Sequence, residues 1–131
     1  MIVQELIAGD VATCSPDTPI DEAARQMMDA DTGSLVVIDD REIAGIVTER
    51  DVLRAVADRI TTKTVPVARI MTPRPDSLEP DVDVKEVAMW MVAAGYRHLP
   101  VTEGGRLVGM VSIKDLVWAL TEEEPVGGEE P

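Results

Sequence analysis

Two short stretches hold the residue types whose spacing could do chemistry. Gly45-Ile46-Val47-Thr48-Glu49-Arg50-Asp51 sets a hydroxyl and a carboxylate three residues apart at the end of an apolar run. Gly109-Met110-Val111-Ser112-Ile113-Lys114-Asp115 repeats the pattern 64 residues later. In each, the apolar run reads as a strand and the hydroxyl as the start of a helix. A hydroxyl N-cap followed by a carboxylate at the third helical position is a capping box, which stabilises a helix by roughly 1 kcal/mol. The same place suits a ligand. A helix start presents N–H groups and the positive end of the helix dipole, which attract phosphate. A carboxylate there can accept from both hydroxyls of a ribose. The glycine ahead of them lets another group approach the strand closely.

These residues point to binding rather than to bond-breaking. The chain has no Gly-x-x-x-x-Gly-Lys loop, no Gly-x-Gly-x-x-Gly turn and no nucleophile elbow, so an enzyme is not expected. His98 and Cys14 are its only histidine and cysteine. A lone histidine makes no metal site, and one cysteine makes no internal disulfide. The counterpart of Cys14 in the second stretch is Leu78, so a buried, inert thiol is expected. The acids are scattered without calcium-loop spacing.

The elements that must position these residues come from a duplication. Residues 1–56 align with 65–120 without a gap, and 13 positions are identical, among them Val3/Val67, Pro16/Pro80, Gly45/Gly109 and Asp51/Asp115. Each half reads β-α-β-β-α. A short strand falls near residues 11–14 and 76–78, and Pro16-Asp17 or Pro80-Asp81 turns the chain. A helix follows, with Thr18 the expected N-cap and Pro19 at its first position in one half, and Asp83 the cap in the other. Ile20, Ala23, Ala24, Met27 and Met28, matched by Val84, Val87, Ala88, Met91 and Val92, have the spacing of one buried helix face. Hairpins are expected at 34–38 with 43–47 and at 97–102 with 106–112. The second helices should bury Val52, Leu53, Val56 and Ile60, or Leu116, Val117 and Leu120. The fold class is α+β, with repeats at 1–64 and 65–121. The tail, 122–131, holds five Glu, two Pro and two Gly and should be disordered.

Composition bounds the partners. The net charge of −13 argues against nucleic-acid polymers and anionic membranes. No apolar run approaches the ~18 residues of a membrane helix. The N-terminus lacks the basic region of a signal peptide, so a cytoplasmic location is expected. Residues 1–64 carry 13 acids and 6 bases, whereas 65–121 carry 7 and 6. An anion must therefore find its cations gathered locally.

Several features together resemble a known family. They are the repeat itself, the leaders Glu5-Leu6-Ile7 and Arg69-Ile70-Met71-Thr72-Pro73, the strand Arg97-His98-Leu99-Pro100-Val101 and the two Gly-x-x-Thr/Ser-x-x-Asp endings. They look like a tandem pair of CBS domains, a stand-alone Bateman module, over residues 1–121. The resemblance implies two repeats related by a pseudo-two-fold axis and packed sheet to sheet, with two clefts between them. It implies a non-catalytic regulatory module whose clefts take adenosine-containing ligands such as AMP, ADP or ATP. Asp51 and Asp115 would hold ribose, Thr48 and Ser112 would lie near phosphate, and Arg97 and His98 would reach it. Their counterparts Gly33 and Ser34 are uncharged, so the cleft of Ser112 and Asp115 should bind phosphate better. With no effector domain in the sequence, output would pass to a partner protein. S-adenosylmethionine, NADH, a divalent cation, or empty clefts in a structural module are the alternatives.

The second half is apolar where the first is polar: Met89, Trp90 and Trp118 stand where Arg25, Gln26 and Arg54 do. They either pack between the halves or anchor a subunit interface. The family resemblance, with its flat homodimers through helices, favours the interface.

Overall fold

A computed structural model describes residues 1–7 and 10–123. The chain divides into two compact units. The first, Asp10–Pro75, contains β1 (Thr13–Cys14), α1 (Ile20–Ala30), β2 (Ser34–Asp39), β3 (Glu42–Thr48), α2 (Glu49–Ala57), a 3-10 turn (Val67–Arg69) and β4 (Thr72–Pro73). Its sheet runs β1-β2-β3-β4, with β1 parallel to β2 and the other pairs antiparallel. The second unit takes the N-terminal 3-10 turn (Val3–Leu6) together with α3 (Val84–Ala94), β5 (His98–Glu103), β6 (Arg106–Ser112) and α4 (Ile113–Glu123). β5 and β6 pair antiparallel, and Leu78 bridges Val101 in parallel where the sequence predicts a full strand.

The compact units are cut differently from the sequence repeats. Each repeat contributes its leader to the core of the other. Val3 is fully buried among Val84, Val87, Met91, Leu99 and Leu116, and Val67 among Ile20, Met27, Leu35 and Val47. Backbone bonds fasten both leaders in the same way. Val3 N donates to Val82 O at 2.9 Å, and Val67 N to Thr18 O at 2.8 Å. Gln4 N reaches Pro80 O, and Ala68 N reaches Pro16 O. The leader carbonyls of Met1 and Val65 accept from the first helical N–H of α3 and α1, from Val84 and Ile20. The exchange explains a correction at α1. Its N-cap is Pro19, without a side-chain bond, because Val65 O and Thr62 O already satisfy Ile20 N and Asp21 N. Thr18 turns back and accepts from Ser15 N instead. Asp83 caps α3 by accepting from Lys85 N at 3.0 Å, as the sequence predicts.

The leader is also what the paired glycines admit. A Cβ on Gly45 would stand 2.6 Å from Met71 Sδ and 2.7 Å from Thr72 O; one on Gly109 would stand 2.8 Å from Ile7 Cδ1. Both glycines follow a β-bulge, opposite Val37/Ile38 and opposite Val101/Thr102 on the facing strands, where one extra residue bends the strand.

Helical spacing predicts more burial than occurs. Met28 is 81% exposed and Leu53 70% exposed, and Val56, Val92 and Val117 are also exposed. A helix on a small core buries only the centre of its apolar stripe, here Ile20, Ala23 and Met27 on α1 and Val84, Val87 and Met91 on α3. Val52, Ile60 and Leu120 do pack against the cores. Helix α4 runs on to Glu123, so it takes in the first two residues of the expected tail; residues 124–131 lie outside the described residues. Among the described residues no helix is long and apolar enough to cross a membrane.

Candidate ligand-binding site

Each unit builds one candidate site where its hairpin meets its second helix. β3 delivers Thr48 to the N-cap of α2. Asp51 Oδ2 accepts from Thr48 N at 2.9 Å and from Thr48 Oγ1 at 3.1 Å, while Asp51 N donates to Thr48 Oγ1 at 3.3 Å. The first helical N–H, of Glu49, donates to Gly33 O at 2.9 Å. That bond ties the helix start to the entry of β2, where Ser34 stands directly across from Thr48. Opposed residues of an antiparallel pair carry their side chains on one face. Ser34 and Thr48 therefore share a face, and Asp51 is held beside them.

The other unit repeats the arrangement at equivalent residues, save for the bond from the hydroxyl to the carboxylate. Asp115 Oδ2 accepts from Ser112 N at 3.1 Å, and Asp115 N donates to Ser112 Oγ at 3.2 Å. Ile113 N donates to Arg97 O at 2.9 Å, and His98 stands across from Ser112. Thr48, Asp51, Gly33 and Ser34 are thus gathered at the α2 start, and Ser112, Asp115, Arg97 and His98 at the α4 start.

The local cap and a ligand-binding role are compatible, because each cap uses one oxygen of its carboxylate. Asp51 Oδ1 lies 3.6 Å from Arg54 Nη1, an ion pair whose arginine is largely exposed. Such a pair contributes at most ~1 kcal/mol and yields to a competing partner. At the α4 start the residue in the place of Arg54 is Trp118, and Asp115 has no salt bridge among the described residues. Asp115 is exposed and Asp51 is partly buried.

Spacing alone gives no sign of two further groups. Ser34 is 3% exposed, and its Oγ has no hydrogen-bond partner. Tyr96 Oη donates a short hydrogen bond to Asp76, and its ring meets Trp90 edge to face at 5.5 Å between centroids. The Asp76 carboxylate pushes the Tyr96 hydroxyl pKa up. Cys14 is half-buried rather than enclosed; burial raises its thiol pKa, against a bond with Thr18 that lowers it. Among the described residues no group of three or more His, Cys, Asp or Glu side chains is placed to hold a metal ion.

A duplicated strand–helix unit with a capped carboxylate at each helix start defines a tandem-repeat protein. The CBS domain family model matches residues 3–58 and 67–122. The chain belongs to the CBS-domain family, as a pair of CBS domains forming a regulatory module. A 17.7 kDa protein of Acidianus ambivalens is 37% identical over 122 residues, spanning 92% of this chain and 73% of that protein. The CBS-domain containing protein ATU1752 of Agrobacterium tumefaciens superposes with a TM-score of 0.86 at 34% identity, covering 92% of this chain and 99% of that one. The structure of CBSX2 in complex with AMP matches at a TM-score of 0.80 and 23% identity, over 94% and 98% of the two chains, and shows the fold alone.

Proposed function

We propose that the chain is a non-catalytic sensor of adenosine-containing ligands, with AMP, ADP or ATP bound at the α2 and α4 starts. The repeated carboxylate geometry supports this reading most directly. Oδ2 of each aspartate is spent on the cap, which fixes the side chain, and Oδ1 is left for a ribose hydroxyl. At the α4 start, Arg97 and His98 at the entry of β5 and Ser112 across from His98 are the groups a phosphate would draw on, which favours this site for the phosphate. Binding shifts the chain between conformations, and a partner protein in the cytoplasm reads the change. Met89, Trp90 and Trp118 support a homodimer through the helices: Met89 is 74% and Trp118 59% exposed, and surface apolar side chains this large mark contact sites.

Thermal unfolding with AMP, ATP, S-adenosylmethionine, NADH and Mg²⁺ in parallel tests the ligand class. A ligand at 100 times its Kd stabilises by about 2.7 kcal/mol. The adenine nucleotides are expected to raise the melting temperature and Mg²⁺ alone to leave it unchanged. No shift with any adenosine compound would reject the reading.

A further inference from the structure

The cations of the second half divide by what stands beside them. Residues 76–131 carry four: Lys85, Arg97, Arg106 and Lys114. Arg106 stands across its hairpin from Glu103, and Lys85 has Asp83 and Glu86 beside it at the start of α3. Arg97 and Lys114 are exposed and make no salt bridge among the described residues. They flank the α4 start, where Arg97 O accepts from Ile113 N at 2.9 Å and Lys114 is the next residue of the helix. Asp115, the carboxylate of that start, is turned to Ser112 N.

The anions of this half gather beyond the other end of α4. Residues 122–131 hold Glu122, Glu123, Glu124, Glu129 and Glu130 and no base. From Ile113 to Glu123 the helix rises about 15 Å. Residues 124–130 span up to about 23–25 Å when extended, and Pro125 opposes continuation of the helix. Glu129 and Glu130 are therefore within reach of Arg97 and Lys114. Tethered at this distance, their carboxylates present an effective concentration of roughly millimolar.

We infer that the acidic segment 124–131 folds back along α4 and sets the Glu129 and Glu130 carboxylates against Arg97 and Lys114, an autoinhibitory contact that competes with the phosphate of the ligand. This rests on the sensor reading above and names the regulation of its α4 site. A nucleotide must displace the segment to bind its phosphate there, whereas adenosine, which has no phosphate, does not compete for the two cations.

Zero-length carbodiimide coupling of dilute, full-length protein tests the contact without any ligand. Lys114 is expected to couple to Glu129 or Glu130 of the same chain, several-fold in excess of the other lysines, Lys63 and Lys85. In 1 M NaCl, where the screening length falls to about 3 Å, that preference should vanish. Calorimetric titration of AMP tests the competition. Glu129→Gln with Glu130→Gln should tighten AMP by about two- to thirty-fold at low salt, the range for two exposed ion pairs, and leave adenosine unchanged. Equal coupling of the three lysines, or coupling found only between copies, overturns the inference, as does an AMP affinity that the two substitutions leave unchanged. If Lys114 couples as expected while neither protein binds AMP, the contact stands and the sensor reading fails, which is a distinct result.

Discussion

Gly109→Ala should destabilise the protein, and Ile7→Ala should remove most of that penalty. Neither Gly45 nor Gly109 has a positive φ, so the question is one of space rather than backbone strain. The three atoms nearest to a new Cβ at Gly109 all belong to the Ile7 side chain, with Cγ1 at 2.9 Å. Overpacking of this kind costs about 1–3 kcal/mol. With a urea m-value of roughly 2 kcal/mol/M, the unfolding midpoint should fall by about 0.5–1.5 M. Ile7→Ala alone costs about 2 kcal/mol at a partly buried site. The double variant should cost less than the sum of the two by about 1–3 kcal/mol, since the shortened side chain frees the space the methyl needs. Gly45→Ala provides the contrast. Its obstacles are Met71 Sδ and the backbone oxygen Thr72 O, so Met71→Ala should relieve only part of the cost. A neutral Gly109→Ala, or strict additivity with Ile7→Ala, would refute the exchange of leaders between repeats.

Other outcomes follow from particular contacts. Arg41 sits at φ 70° in the turn between β2 and β3, where the second hairpin has Gly105. Arg41→Gly should raise the urea midpoint by an amount worth up to about 1 kcal/mol. Tyr96 gives a pH signature. Its bond to Asp76 lifts its folded pKa above the usual value of about 10, so the stability it adds is complete below that value and lost as pH rises through the raised pKa. Wild type should therefore exceed Tyr96→Phe in stability at pH 7–9, and the gap should close above about pH 10. For assembly, Met89→Glu with Trp118→Glu should sediment as monomer where wild type sediments as dimer. An intact dimer would move the interface elsewhere.

The chain shows its elements clearly in sequence because it says everything twice. The offset of 64 residues located α1 to α4, both hairpins and both Asp–hydroxyl pairs. It did not show where the leaders go. Identity of Val3 with Val67 establishes that they are equivalent, but equivalence is silent on which core each enters. Periodicity likewise marks Leu53 and Val56 as apolar without saying that the core beneath them is too narrow to cover both. Thr18-Pro19 carries a good capping signal, yet carbonyls brought in from Thr62 and Val65 take the N–H groups it would have served. Ser34 drew attention only for lacking a charge; its significance lies in burial and in an unmade hydrogen bond, which no spacing encodes.

The central claim is that the oxygen of Asp115 left by its cap holds a ribose. Calorimetric titration of AMP into wild type and Asp115→Ala, with Asp51→Ala in both backgrounds so that one site is read, tests it most directly. Losing charge-assisted bonds of about 1.5–3 kcal/mol predicts a 10- to 150-fold rise in Kd. An AMP affinity unchanged by Asp115→Ala in a folded protein would contradict the account.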